Sequence, residues 1–290
     1  MQRLGQHFLK NKRILEKIVD ALNIKSGDVI VEIGPGHGEL TKKLLERPVT
    51  VVAIEKDLRL VDLLTKNFKV QISNSKSNPK SQLPKLNVIN ADALKALPSL
   101  TENLSFDICH LKLVGNIPYY ITGHLLRILS ELEHKPEIIT LLIQKEVAER
   151  VVAHPPKMNL LAAVTQSWSE PKIIARVGKI DFSPPPKVDS AVITLVPKSP
   201  LSTPSTRGTE YYPFLRILFQ QPRKTIANNL TAKSKFQISK DELTQELKQI
   251  NINPGDRPQN LSLAEIQNLF ATLYNERKLG IYDQSSAWCS

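Results

Sequence analysis

Cysteine is nearly absent from this 290-residue chain. Its two residues, Cys109 inside an apolar run and Cys289 beside the C-terminus, offer neither a disulfide framework nor metal-ligand spacing. The six histidines are scattered, so no metal is expected. No apolar run approaches the roughly 18 residues that a spanning helix needs, which excludes a membrane helix and points to a globular chain. The opening Met1-Gln2-Arg3-Leu4-Gly5-Gln6-His7 has no apolar core of the signal-peptide kind, and a cytoplasmic location is expected.

What the sequence does have is positive charge, with a formal net value of +11. Residues 1–100 carry 17 Lys/Arg against 10 Asp/Glu and residues 151–250 carry 14 against 7, whereas residues 101–150 carry 5 against 7. Basic flanks around a less basic centre suit a protein that grips a phosphate backbone while a neutral pocket takes a base. The length, with 41% hydrophobic residues, allows a full α/β core and a smaller second domain.

Arg3, Lys10, Lys12 and Arg13 make a basic arm, and Ile14, Ile18 and Leu22 follow at helical spacing. The arm is open to two readings, a solvated helix face or an RNA contact. The β-branched run Val29-Ile30-Val31-Glu32-Ile33 ends in Gly34-Pro35-Gly36-His37-Gly38, after which Leu40, Leu44 and Leu45 resume helical spacing. Strand, glycine loop and helix open the first crossover of a doubly wound sheet, where Gly34 and Gly36 let a ligand approach the backbone. The glycine spacing does not match G-x-G-x-x-G, which argues against an NAD enzyme.

A second strand, Val49 to Ile54, closes on Glu55, placed to accept ribose hydroxyls. A third, Asn87 to Ile89, leads to Asp92. Either carboxylate alone could be a helix cap or a surface charge. Their recurrence after successive strands points to one crevice.

Phe106 to Val114 reads as the fourth strand and delivers Asn116-Ile117-Pro118-Tyr119-Tyr120 to that crevice. Pro118 lacks an amide hydrogen and keeps Ile117 out of helix, so the chain should leave the sheet in an extended turn with free carbonyls. This tip is a base-binding edge or a strand-ending turn whose tyrosines cover the core. Ile138 to Ile143, Lys172 to Val177 and Ala191 to Val196 complete an α/β, Rossmann-like sheet of seven strands, with a helix over Gln144 to Arg150. Between the last two strands, Pro184-Pro185-Pro186 stiffens a loop beside Phe182, which could be a core anchor.

The polar stretch Ser73 to Leu83 reads as a surface insertion. Pro197 to Gly208 marks a boundary between a domain over 1–198 and a small helical domain over 209–290, with a flexible tail from about Lys278. In the second domain, Ser239 with Glu242 and Ser262 with Glu265 are capping boxes. Leu243, Leu247 and Ile250 form one apolar stripe and Ile266, Leu269, Phe270 and Leu273 another. Its basic stretch contains Arg223 and Lys224.

Glu32-Ile33-Gly34-Pro35-Gly36, Asn116-Ile117-Pro118-Tyr119, Gln144-Lys145-Glu146-Val147 and Phe182 through Ser190 resemble the signatures of the KsgA family of ribosomal RNA adenine dimethyltransferases. The resemblance runs from about Gly5 to Leu273. The first two motifs are shared with S-adenosylmethionine-dependent adenine methyltransferases at large. The proline-rich motif and Arg223-Lys224-Thr225-Ile226 are closer to the KsgA branch than to the macrolide-resistance methylases.

By position, the resemblance implies S-adenosylmethionine contacts from His7, Leu9, Gly34, Gly36, Glu55, Asp92 and Asn116. It implies catalysis by Asn116, Ile117, Pro118, Tyr119 and Phe182, with Tyr119 and Phe182 packing on the base. Tyr120, one residue beyond the motif position, reads as packing or loop support. RNA contacts are expected from Arg3, Lys10, Lys12, Arg13, Lys187, Arg223 and Lys224. The family usually has Asn where His7 stands, a departure at the cofactor contact, and often arginine where Pro222 and Ala227 stand, which weakens part of the RNA surface. The implied activity is N6,N6-dimethylation of two adjacent adenosines near the 3′ end of small-subunit ribosomal RNA, by a monomer acting on an immature small subunit. The alternatives are a non-catalytic ribosome-assembly factor and a large-subunit methylase.

Overall fold

A computed structural model describes residues 7–68, 85–105, 110–198, 210–231 and 238–275. Expectations for Arg3, for Ser73 to Leu83, for Phe106 to Cys109 and for the tail beyond Lys278 fall outside these residues. The chain divides into two compact units, Met1–Val152 with Ser169–Lys198, and Ala153–Trp168 with Ser199–Ser290.

The first unit begins with β1 (Phe8–Leu9), α1 (Lys12–Asp20), β2 (Val29–Ile33), α2 (Glu39–Leu45), β3 (Thr50–Glu55) and α3 (Leu58–Phe68). There follow β4 (Leu86–Asn90), α4 (Ala93–Ser105), β5 (Leu111–Asn116), α5 (Thr122–Glu131), β6 (Ile138–Gln144) and α6 (Lys145–Val151). After an excursion through α7 (Leu160–Trp168), the unit closes with β7 (Ser169–Val177), β8 (Phe182–Ser183) and β9 (Ser190–Pro197). Asn11 starts α1 by accepting the Arg13 and Ile14 amides on its side chain, and Ile14, Leu15, Ile18 and Val19 turn inward.

The seven strands of the main sheet lie in the order β4-β3-β2-β5-β6-β9-β7. The first five are parallel, and β9 runs antiparallel between β6 and β7. Every residue of β2 is buried, as befits a central strand covered by helices on both faces. The chain lays down β2, β3 and β4 in one direction, then restarts at β5 on the other flank of β2. A doubly wound sheet binds its ligand outside the carboxyl ends at this reversal. β1 and β8 form a separate antiparallel pair, Phe8 opposite Ser183 and Leu9 opposite Phe182.

At the amino end of the same strands lies a buried ion pair. Lys112 of β5 reaches Asp28 at 2.5 Å and the Asn23 carbonyl at 2.6 Å, and the two side chains are 1% and 0% exposed.

The second unit contains α7, α8 (Tyr211–Leu218), α9 (Ile226–Thr231), α10 (Lys240–Gln249) and α11 (Leu263–Asn275). Both capping boxes form. Ser239 and Glu242 exchange backbone amides at the head of α10, and Ser262 and Glu265 do so at α11. Phe214, Leu218, Leu243, Leu247, Ile266 and Leu269 build its core. One boundary differs from the sequence reading, which kept 153–168 in the first domain. Met158, Ala162, Ala163 and Val164 have their apolar partners in the second core, so this stretch belongs to the helical unit.

Candidate active site

Register brings the expected strand ends into line. Ile33 of β2 sits beside Ile54 of β3 and Gly115 of β5, and Glu55 sits beside Asn90. The turn after β2 is tied into this line, because the Gly34 amide donates to the Ile54 carbonyl at 3.0 Å. The Gly36 amide donates to Glu55 Oε2 at 3.3 Å. Gly36 has φ +61°, and a Cβ there would lie 2.7 Å from the Phe8 ring. Phe8 in turn stacks on His37, with ring centroids 3.9 Å apart. The close approach that demands glycine at this position is therefore made by the chain's own arm. Leu9 of that arm is buried in the core.

Two buried carboxyls and one partly exposed one lie at this end of the sheet. Glu55 is buried, and its Oε1 accepts the Lys56 and Asp57 amides, each at 2.9 Å. Burial raises its proton affinity above the ordinary carboxylate range, against the pull of the Asp57, Gly36 and Lys56 amides. Glu32 of β2 accepts the Thr41 hydroxyl at 2.7 Å. Burial pushes its carboxyl up to about 7, with the Thr41 bond opposing and the Glu55 charge adding. Asp92 is differently placed. Its Oδ1 takes the Leu94 amide at 3.0 Å, as a cap of α4, and its Oδ2 pairs with Lys56 at 2.9 Å. Partial burial works to raise this carboxyl, but Lys56, the Leu94 amide and Lys95 outweigh it and the net shift is downward.

β5 ends on Asn116, beside the glycine turn. A Cβ on Gly115 would lie 2.7 Å from the Ile33 carbonyl, so a side chain there would force β2 and β5 apart at the site. Asn116 Nδ2 donates to the His7 carbonyl at 2.9 Å. No described residue donates to its Oδ1. The Ile117 amide goes to the Leu142 carbonyl at 3.1 Å, the Ile117 side chain is buried, and Pro118 holds an extended φ of −53° and ψ of 129°. The chain then turns through a short 3-10 helix at Tyr119–Ile121. Tyr119 is half-buried; its hydroxyl meets Ser190 Oγ at 2.7 Å, and its ring faces His7 at 6.2 Å between centroids. Burial raises the Tyr119 phenol, while the Ser190 bond opposes.

Three expectations are corrected here. Phe182, expected to pack on a base, is 3% exposed inside the core, where its strand β8 pairs edge to edge with β1 and it shares an apolar cluster with Leu9. Tyr120, expected to pack or to lend loop support, is 71% exposed and so does not pack into the core. Ala227, expected at a weakened part of the RNA surface, is buried in the second core, so no RNA-facing position is lost there.

Lys10, Lys12, Arg13 and Lys187 present exposed side chains in the first unit. In the second, Arg223 and Lys224 are exposed on a turn folded around buried Asn229. Its Oδ1 accepts the Gln221 amide at 3.0 Å, and its Nδ2 donates to the Gln221, Lys224 and Thr225 carbonyls at 3.1, 3.3 and 3.1 Å. Asn229 and Ser190 had no role in the sequence reading. Ser190 closes the quoted proline-rich motif, and that position was the available signal.

The comparisons with known proteins agree with this geometry. The family model described as ribosomal RNA adenine dimethylase matches residues 1–275. A ribosomal RNA small subunit methyltransferase A from Dehalococcoides mccartyi (strain CBDB1) is 36% identical over 92% of this chain and 86% of its own length. One of the same name from Rippkaea orientalis is 35% identical over 94% of this chain and 98% of its own. Among solved structures, a dimethyladenosine transferase from Plasmodium falciparum has a TM-score of 0.74 and 26% identity, covering 94% of this chain and 100% of that one. The 23S ribosomal RNA methyltransferase ErmE shares the fold, with a TM-score of 0.67 at 24% identity over 92% of this chain and 99% of that one. With its glycine turn, its strand-end acids and its Asn116 edge inside the matched span, the chain belongs to the ribosomal RNA adenine dimethylase family.

Proposed function

We propose that this enzyme dimethylates N6 of two adjacent adenosines near the 3′ end of small-subunit ribosomal RNA, acting as a monomer on an immature small subunit in the cytoplasm. The observation that carries the proposal is the half-committed carboxamide of Asn116. One end is spent on the arm, and to the other, at the reversal point of the sheet, no described residue donates.

The cofactor is S-adenosylmethionine. When bound, it supplies a methyl group made electrophilic by a sulfonium. The crevice fits such a group, since Glu55 closes β3 where a ribose would sit and Asp92 opens α4 at the neighbouring strand end. Gly34 and Gly36 line its approach, whereas Leu9 is buried in the core and the His7 ring is held by the Pro184 carbonyl.

An adenine N6 lone pair is delocalised into the ring and becomes nucleophilic only when the amine is held out of conjugation. Asn116 Oδ1 and the Ile117 carbonyl accept its two hydrogens, and Tyr119 stacks on the base. The methylated ammonium loses its proton readily, so no strong base is needed. Catalysis is then positioning and electrostatics. The base must leave its stack to reach the edge, which favours single-stranded or loop adenosines. Lys10, Lys12, Arg13, Lys187, Arg223 and Lys224 hold the phosphate backbone.

The choice of the small subunit is supported by relatives at 35–36% identity that are named as small-subunit methyltransferases. The test is mass mapping of RNA after incubation with unmodified small or large subunits. Two dimethylated, adjacent adenosines in the small-subunit RNA are expected. Methylation confined to the large subunit overturns the choice of subunit, and none in either supports the assembly-factor reading.

A further inference from the structure

We infer that His7 is a positioning residue that fixes the orientation of Asn116. The inference rests on the reading of Asn116 as an acceptor for the adenine amine. A side-chain amide can occupy its site in two orientations, exchanging oxygen and nitrogen. The His7 carbonyl, 2.9 Å from Nδ2, removes that freedom. A carbonyl only accepts, so the flipped amide would set two oxygens against each other at hydrogen-bond distance. Oδ1 is thereby turned away from the arm and kept for the substrate.

His7 must itself be fixed to do this, and its ring provides the anchor. Nδ1 lies 2.9 Å from the Pro184 carbonyl, which again can only accept, so Nδ1 carries a hydrogen and donates it. The ring thus bridges the arm to the proline loop, 177 residues away in sequence, and borders Tyr119 on one side. Its neighbours complete the fastening. Phe8 is stacked on His37, and Leu9 is paired with Phe182. Position 7 therefore needs a hydrogen-bond donor aimed at Pro184, a requirement that an asparagine also meets and an alanine or phenylalanine does not.

The experiment measures single-turnover methylation of unmodified small subunits at saturating S-adenosylmethionine, with cofactor affinity read by calorimetry and folding by thermal unfolding. His7→Ala and His7→Phe are expected to slow the reaction about tenfold, as small misplacements of a reacting group do. Cofactor affinity should change by no more than about twofold, and His7→Asn should restore most of the rate. His7→Phe keeps the ring, so it carries the test if His7→Ala folds poorly. In an Asn116→Ala background, His7→Phe should cost nothing further.

A wild-type rate for folded His7→Phe overturns the inference. So does a loss of cofactor affinity with an unchanged saturated rate, or a penalty that persists in the Asn116→Ala background. A wild-type rate for Asn116→Ala sinks the reading of Asn116 itself, and that outcome is distinct from a silent His7.

Discussion

The two ends of β5 use polar side chains in opposite ways. At the amino end, Lys112 is spent entirely inside the protein, on Asp28 and the Asn23 carbonyl. At the carboxyl end, Asn116 is spent by half. Its nitrogen is bonded to the arm, while no described residue donates to its oxygen. One strand therefore carries a structural polar group and, four residues on, one with hydrogen-bonding capacity held in reserve. The difference teaches where to look for chemistry. A buried polar group whose partners all lie within the fold is a structural part, and one held rigid at a ligand-binding strand end with an acceptor left over is addressed to a ligand.

The largest effect should come from the structural end. Lys112→Ala strands the Asp28 carboxylate in the core and should cost about 3–5 kcal/mol of stability, measured by urea unfolding. The methylation rate per folded molecule should stay near wild type. A rate that fell with stability intact would break the comparison.

Next comes Glu32, at the carboxyl end of β2. Its folded carboxyl titrates near 7 against an ordinary 4.5, so between those values the unfolded chain has released its proton and the folded chain has not. Stability is therefore lost as pH rises through that window, by up to about 3 kcal/mol when complete. Glu32→Gln keeps an acceptor for Thr41 and removes the titration. Thermal unfolding of the ligand-free protein should show its advantage over wild type near zero at pH 4 and growing to pH 8. An advantage that does not change with pH would contradict this.

The smallest effects belong to Tyr119. Tyr119→Ala should lose about 1–3 kcal/mol of base stacking, seen as a raised KM for RNA. Tyr119→Phe gives up only the Ser190 bond, about 1 kcal/mol. Equal losses in the two variants would assign the tyrosine's role to its hydroxyl and not to its face.

The glycine turn, Glu55, Asp92 and Asn116 were legible in the sequence because each closes a short apolar run, and parallel pairing then aligns the ends of those runs. Local signals of the same kind gave both capping boxes. What escaped depends on distant pairing. Nothing near His7 announces Pro184, nothing near Tyr119 announces Ser190, and the β1–β8 pair joins two residues to two. Lys112 escaped for another reason. A charge in a strand suggests an outward face, but β5 is covered on both faces, so its lysine had to find a carboxylate inside. α7 escaped because its small, apolar surface suits a crossover helix as well as the helical core it actually joins. Phe182 was misread because an aromatic beside a stiff loop looks the same in sequence whether it faces a base or fills a core.

The most direct test compares Asn116→Ala with wild type, using single-turnover methylation of unmodified small subunits at matched folded fraction. The expected result is a reaction about 100- to 1000-fold slower, the loss typical of a preorganised polar group, with the unfolding midpoint scarcely moved. Methylation at the wild-type rate by folded Asn116→Ala would contradict the account.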